Sequence, residues 1–169
     1  MSCLSYYRSR RHPVSALFVD YGQAVRSMEA KAVSAICRRL GVPLDIARLR
    51  SSTSIAIGAI RGRNAFLLDL ALMSAEFDFG LVSLGIHGGT VYPDCSEAFV
   101  ERAQRVYDVY AGGRIRIDAP FVNWSKRDVY DFAVAQRLPL DLTYSCLVGR
   151  KRPCGSCESC KDVEALRAG

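Results

Sequence analysis

The segment HPVSALFVDYG, residues 12–22, carries the first strong signal for the fold of this chain. Its run from Val14 to Val19 is short, largely apolar and rich in residues that favour strands. The polar segment DYGQ, residues 20–23, begins directly after that run. The stretch therefore predicts a buried strand that ends at a functional edge of a sheet.

Strands and helices are predicted to alternate along the rest of the chain. Apolar residues recur at helical spacing from about Ala24 to Leu40, and Gly41 ends the pattern with Pro43 just beyond. Further strands are predicted for the apolar runs LDIARL (44–49), GLVSLGIH (80–87) and RIRIDAP (114–120). Further helices are predicted for residues 66–77, about 97–110, from the cap Ser125 to about Gln136, and for a short final segment. A Ser- and Gly-rich connection covers residues 51–64.

This alternation predicts an α/β fold of three layers with a mostly parallel, doubly wound sheet. In such sheets, ligands bind beyond the carboxyl ends of the strands. Polar segments follow three of the predicted strands, at residues 20–23, 87–94 and 120–126. Each of them alone is compatible with an ordinary loop, but their shared edge favours a binding site.

The segment CLVGRKRPCGSCESC, residues 146–160, contains four of the seven cysteines at spacings C-x7-C-x2-C-x2-C. Four thiolates at these spacings can surround one tetrahedral zinc ion, so Cys146, Cys154, Cys157 and Cys160 are predicted to form a structural zinc site. Two disulfides or a redox pair are the alternatives. The absence of a secretory signal disfavours disulfides, and a redox C-x-x-C normally opens a helix near the chain start. We expect Cys95 to lie near a pocket, away from the metal.

Length and composition limit the class of protein. Half of the 169 residues are hydrophobic, which is enough for a globular core, and no run of eighteen apolar residues occurs. We therefore expect a cytoplasmic protein with no membrane partner, built from an α/β domain (1–145) and a zinc-binding segment (146–169) packed on it. The net charge of +6 suits nucleic acid or an anionic small molecule. Because the basic residues are dispersed, nucleic acid is not the expected partner.

The motifs DYGQ (20–23), GRN (62–64), YPDC (92–95) and the cysteine-rich ending occur together in this order. In that combination the chain resembles, from Val14 to Cys160, the QueC-like 7-cyano-7-deazaguanine synthases of the PP-loop ATP pyrophosphatase superfamily. The resemblance implies a fold of the HUP type, that of the adenine nucleotide alpha hydrolases. It also implies an ATP-dependent ligase that adenylates 7-carboxy-7-deazaguanine, forms an amide with ammonia and dehydrates it to the nitrile. The expected cofactors are structural zinc and ATP with Mg²⁺, and a homodimer is compatible with this family.

Activating a carboxylate requires groups that hold a triphosphate in line with the acid. Arg63 and Lys126 are predicted to be catalytic on this ground, and the alternative is that both are solvated surface charges. The resemblance implies that nucleotide-binding groups are Asp20, Tyr21, Gly22, Gln23 and Asn64. It also implies that Tyr92 and Asp94 face the deazapurine, although Asp94 could instead be a carboxylate at a helix N-terminus.

Some features of the family are missing from this sequence. Its phosphate loop S-G-G-x-D-S does not occur, and MSCLSYYRSRR at the start resembles the helix that follows that loop. The resemblance therefore predicts the family's central first strand and the loop upstream of Met1. Ala24 and Val25 stand where a basic pair is usual. The alternative function is a non-catalytic or partner-dependent zinc protein of the same family. A basic zinc-ribbon nucleic-acid binder would need aromatic residues within 146–160, where the sequence has none.

Overall fold

The computed structural model describes residues 1–49 and 60–168 of the chain. Within these ranges, strands and helices alternate after a first short helix. The elements are α1 Ser2–Arg8, β1 Ala16–Asp20, α2 Arg26–Leu40, β2 Leu44–Arg48, α3 Arg63–Met73, β3 Gly80–Ser83, α4 Glu97–Ala111, β4 Ile115–Asp118, α5 Lys126–Ala135 and α6 Glu158–Ala168. A single turn of 3-10 helix, Leu140–Leu142, lies between α5 and α6. None of the described helices is long and apolar enough to span a membrane.

The first of two compact units takes in the described residues of Cys3–Ile60 and of Gln136–Gly169. Its strands β1 and β2 pair in parallel, with Ala16 opposite Leu44 and Asp20 opposite Arg48. The connection between them is α2, which packs against β1 and ends at Gly41 in the left-handed conformation (φ 62°). The unit is thus a βαβ motif to which the C-terminal segment returns.

The second unit consists mainly of Arg61–Ala135 and is also a βαβ motif. Strands β3 and β4 pair in parallel from Gly80 opposite Ile115 to Ser83 opposite Asp118, and α4 connects them. Its hydrophobic core is formed by five buried residues: Leu68, Tyr107, Ala111, Ile115 and Ile117. The Tyr107 hydroxyl donates a hydrogen bond to the Leu68 carbonyl, and burial, with Asp69 as a smaller cause, raises the pKa of Tyr107 to about 12.

The outer edge of β4 is occupied by a side chain. The carbonyls of Arg114 and Asp118 accept hydrogen bonds from the β3 side, so Ile115 and Ile117 direct their backbone groups the other way. There, buried Gln104 of α4 donates to the Ile115 carbonyl (3.2 Å) and accepts from the Ile117 amide (2.7 Å). The amide of Gln104 therefore bonds to β4 as the backbone of a further strand would.

The sequence prediction of an α/β fold with parallel strands is confirmed. The four described strands form two separate two-stranded sheets, one in each βαβ motif. Helix α3 starts at Arg63, three residues before the predicted start, since left-handed Gly62 (φ 74°) stands at its N-cap. The connection predicted for residues 51–64 falls mostly outside the described residues. The predicted domain boundary at residue 146 stays a prediction.

Candidate functional site

The turn after β1 is shaped by its own polar side chains. The Gln23 side chain accepts a hydrogen bond from the Tyr21 amide (2.9 Å) and donates to the Val19 carbonyl (3.1 Å) and to Glu29 (2.9 Å). Asp20 accepts from the Gly22 amide (3.1 Å). The predicted nucleotide-binding residues Asp20 to Gln23 are thus brought together, and two of their side chains hold the turn in shape.

In the second unit, the loops after β3 and β4 lie at the same sheet edge, because the two strands are parallel. Gly88 lies so close to the second loop that a Cβ atom on it would be 2.9 Å from the Val122 carbonyl oxygen and 3.3 Å from that of Trp124. Only glycine fits this contact. The predicted pocket loops, residues 87–94 and 120–126, are therefore in direct contact.

Asn64 connects one of these loops to α3. It is only 4% exposed, and its side-chain amide donates to the Asp94 carbonyl (3.1 Å) and lies 3.9 Å from the Cys95 sulfur. Its side-chain nitrogen is thus used within the protein, to hold the YPDC segment. The position of Cys95 near a pocket and nucleotide binding by Asn64 stay predictions.

Asp94 lies two residues before Ser96, the N-cap of helix α4. Helix α4 is capped by Ser96, whose hydroxyl oxygen accepts from the Phe99 amide (3.3 Å) and donates to the Pro93 carbonyl (2.8 Å). Among residues 1–49 and 60–168, no hydrogen bond or ion pair to the Asp94 carboxylate is found. Ser96 therefore supplies the side-chain cap of α4, and both roles considered for Asp94 stay predictions. Tyr92, two positions before Asp94, is 48% exposed.

The two predicted catalytic cations begin helices. Arg63 is the first residue of α3 and Lys126 the first residue of α5, and both are exposed. An exposed cation at a helix start can meet a phosphate group, which the N-terminal N–H groups also attract. These positions agree with the predicted role but also with solvated surface charges, so the role stays a prediction.

The four C-terminal cysteines come together. The sulfur atoms of Cys146, Cys154, Cys157 and Cys160 lie within 4.8 Å of one another, and those of Cys154 and Cys160 are 4.0 Å apart. All seven cysteines are free thiols, so the disulfide alternative is not realised in this structure. Sulfurs bound to one tetrahedral zinc at about 2.3 Å would be about 3.8 Å apart. The cluster therefore could hold a metal ion such as zinc.

Backbone groups prepare the cluster for a cation. The amides of Val148 and Cys154 point at the Cys146 sulfur (3.5 and 3.4 Å), and these hydrogen bonds lower the pKa of Cys146. Hydrogen bonds from Ser156, then from Cys157, lower the pKa of Cys154 to about 5. Burial, then Cys157, raises the pKa of Cys160 to about 12. Cysteines bind metal ions as thiolates, so metal binding at the cluster would release the protons that its sulfur atoms carry.

Comparison with known proteins now identifies the family. The sequence model described as "Queuosine biosynthesis protein QueC" matches residues 50–166 of the chain. The chain belongs to the QueC family. The match includes α3 to α5 and the whole cysteine cluster, so the QueC pattern extends over the second unit and the proposed metal site.

Curated relatives of this QueC chain carry one enzyme name. The chain is 31% identical to 7-cyano-7-deazaguanine synthase 1 of Mesorhizobium japonicum, over 87% of this chain and 75% of that protein. It is 29% identical to 7-cyano-7-deazaguanine synthase of Chromohalobacter salexigens (88% and 69%). It is 28% identical to the synthase of that name from Pseudoalteromonas translucida (89% and 80%).

Two residues that the sequence did not single out hold the loops at this sheet edge. Asn123, in the loop after β4, donates to the Glu97 carboxylate at the start of α4 (2.6 Å). Ser96 caps the same helix and holds Pro93. A serine just before an amphipathic helix is a recognisable cap signal. The hydrogen bond between Asn123 and Glu97 has no such local sequence pattern, since the two residues are 26 positions apart.

Proposed function

We propose that this chain is an ATP-dependent carbon–nitrogen ligase that converts 7-carboxy-7-deazaguanine and ammonia into 7-cyano-7-deazaguanine. The proposal is supported by membership in the QueC family and by relatives named for the synthase that each cover most of this chain. Those names favour an enzyme over the alternative of a non-catalytic zinc protein. A cytoplasmic location and a homodimer remain predictions.

The reaction requires two activations. A carboxylate oxygen attacks the α-phosphorus of ATP and pyrophosphate leaves, then ammonia attacks the acyl carbon and AMP leaves. A second ATP activates the amide oxygen in the same way, and loss of AMP together with the amide protons produces the nitrile. Arg63 and Lys126 would balance the phosphate charge, with Mg²⁺ accompanying ATP, and Asp20, Tyr21, Gly22 and Gln23 would line the nucleotide.

The observation that carries the proposal is the carboxylate of Asp94. It lies on a loop that Asn64 holds at the sheet edge, and no described residue satisfies it. A deazapurine has a 2-amino-4-oxo edge whose N–H donors pair well with one carboxylate, and its flat face requires an aromatic wall such as Tyr92. A carboxylate on a loop held by Asn64, two residues from an exposed aromatic ring, is therefore suited to this base.

Zinc would be held by Cys146, Cys154, Cys157 and Cys160, and a sulfur-only set of four is typical of closed structural sites. When bound, such an ion contributes folding energy instead of taking part in the reaction. Elemental analysis should find one zinc per chain, and a variant with Cys160→Ser should contain much less. Zinc-free protein with paired disulfides would contradict this assignment.

Replacing Asp94 tests the proposed base site. In Asp94→Asn an amide N–H₂ would face an N–H donor of the ligand, which costs about 1–3 kcal/mol for an unsatisfied buried group. Titration calorimetry with 7-carboxy-7-deazaguanine should show binding weakened by about tenfold or more. Zinc content and ATP affinity should be nearly unchanged.

The matched control is Asp78→Asn, which removes an exposed carboxylate of the same unit before β3. It should leave binding unaltered. If Asp94→Asn instead lowers stability and both affinities together, the base site is misplaced. If the wild-type chain binds no deazapurine acid, the proposed reaction is wrong.

A further inference from the structure

The cysteine loop touches the turn that follows β1. Gly149 lies between the first two cysteines of the cluster, in the left-handed conformation (φ 76°). A Cβ atom on it would be 3.2 Å from the Ala24 carbonyl oxygen and 3.5 Å from the Val25 Cγ1 atom. A side chain at this position would be tighter against the Ala24 carbonyl than ordinary contacts are, so the backbone of the turn would have to shift by a few tenths of an ångström.

The turn at residues 20–25 has no side-chain cap at the end that leads into α2. Val25 is the N-cap of α2, and its side chain makes no capping hydrogen bond. The first helical amides depend on the turn backbone: Met28 and Glu29 donate to the Val25 carbonyl (2.9 and 3.0 Å), and Arg26 donates to Gln23 (3.0 Å). The Gln23 side chain secures the turn to β1, whereas Gly149 packs against the Ala24–Val25 end.

The loop that carries Gly149 is itself fixed by the cluster. Cys146 is only 2% exposed, and its sulfur accepts hydrogen bonds from Val148 and from Cys154, beyond the loop. Tyr144 braces the same loop by donating to the Arg150 carbonyl (2.9 Å). A metal ion bound by Cys146 and Cys154 would hold both ends of the loop at one point.

We propose that Gly149 is a positioning residue through which metal binding at the cysteine cluster orders the turn at residues 20–25. The loop then acts on the nucleotide edge without touching the ligand, and this part of the inference rests on the proposed function. By linkage, a nucleotide that binds the ordered turn favours metal retention by the same factor. The zinc site thereby has a positioning role in addition to its contribution to stability.

Residue-resolved hydrogen exchange of the zinc-loaded chain tests this. Gly149→Ala should raise exchange at the Arg26, Met28 and Glu29 amides by about tenfold, because local opening of the turn exposes them. The Val42 amide, which bonds to the Cys37 carbonyl at the far end of α2, is the internal reference. Metal removal from the wild-type chain should raise exchange at the three amides relative to Val42 in the same way.

Gly155→Ala is the matched control. Gly155 lies in the same segment with nearly the same φ (73°), but a Cβ atom there would meet nothing within 4 Å. Both variants add a Cβ atom at nearly the same positive φ, and only the one at Gly149 would meet the turn. Equal exchange in the two variants at equal zinc content, or no change at the three amides after metal removal, would overturn the inference. Because hydrogen exchange requires no nucleotide, these results are independent of whether the chain binds ATP.

Discussion

The two units of this protein share a βαβ motif but are stabilised differently. The β3–β4 unit has a core of packed apolar side chains around Leu68 and Tyr107, and Tyr107 is completely buried. The β1–β2 unit buries fewer large side chains among its described residues, and it contains the polar turn and the cysteine cluster. The same βαβ topology therefore occurs with a larger apolar core in one unit, and with polar hydrogen bonds and a cysteine cluster that could hold a metal ion in the other.

Metal removal should affect the two units most unequally. We expect the β1–β2 unit to lose at least about 3 kcal/mol of unfolding free energy, a part of the about 10–16 kcal/mol with which structural zinc binds isolated fingers. The β3–β4 unit should change by less than about 1 kcal/mol, since its core contains no ligand. Denaturant titration of a zinc-chelated sample, with amide signals followed for each unit, measures both. Equal losses would show that the units are not stabilised independently.

Leu68→Ala tests the apolar core of the β3–β4 unit. Leu68 is 2% exposed, so its truncation should cost about 2–5 kcal/mol through lost burial and the cavity that remains. The loss should fall on the β3–β4 unit and leave zinc content unchanged. Leu81→Ala in the same unit, at a side chain 46% exposed, should cost much less. A loss of zinc in Leu68→Ala would mean that the cysteine cluster depends on the apolar core of the β3–β4 unit.

Gln104→Leu separates hydrogen bonding from apolar burial within the β3–β4 unit. Leucine has a similar size, but the Ile115 carbonyl and the Ile117 amide would lose their partner, at a cost of about 1–3 kcal/mol. Thermal unfolding of the variant measures this loss. Exposed Gln136 provides the control, since Gln136→Leu should stay within about 0.5 kcal/mol of wild type. A stabilised Gln104→Leu would mean that burial outweighs the two hydrogen bonds.

Ser125→Ala should have the smallest effect. Ser125 donates to the Asp128 carboxylate (2.7 Å) and accepts from the Asp128 amide (3.1 Å), so its loss should cost about 0.5–2 kcal/mol. The Ser125 hydroxyl, and then the Ser125 backbone amide, donate to the Asp128 carboxylate and lower its pKa from the ordinary value of 3.8. Their contribution is therefore present above pH 3.8 and is lost as the pH falls through the lower folded pKa.

Unfolding of wild type and Ser125→Ala across pH 2 to 7 measures this. The gap between the two should narrow at the acid end to the part that comes from the hydrogen bond accepted from the Asp128 amide, which does not titrate. Asp131→Asn provides the comparison, because Asp131 makes only an exposed ion pair with Arg127 (3.4 Å) on the same helix. It should change stability little at any pH. A gap for Ser125→Ala that has the same size at every pH would mean that the hydrogen bond from the hydroxyl to the carboxylate contributes nothing to the cap.

Local signals allowed the sequence to predict most of the helices and strands. Helix α2 ends at Leu40 as predicted, because Gly41 supports a left-handed C-cap, and Ser125 caps α5 as expected. The cysteine spacing predicted the cluster for the same reason, since the ligands lie within fifteen residues. The family resemblance is confirmed by the QueC match.

The remaining features depend on contacts between distant residues. Asn64 donates to the Asp94 carbonyl, 30 positions further along the chain. An asparagine can bind a ligand or hold a loop, and the residue type alone does not distinguish the two. Gln104 lies on an amphipathic helix, where a glutamine is usually solvated. Gly149 meets Ala24 only because the chain returns to the first unit at its end. No local pattern in the sequence encodes these contacts.

The Gln104 hydrogen bonds also bear on solubility during folding and at high concentration. An exposed strand edge can recruit the strand of another molecule and start aggregation, and proteins commonly protect such edges. Gln104 occupies the Ile115 and Ile117 groups that an incoming strand would need on the outer edge of β4. Helix α4 thus protects this edge from intermolecular pairing with a single uncharged side chain.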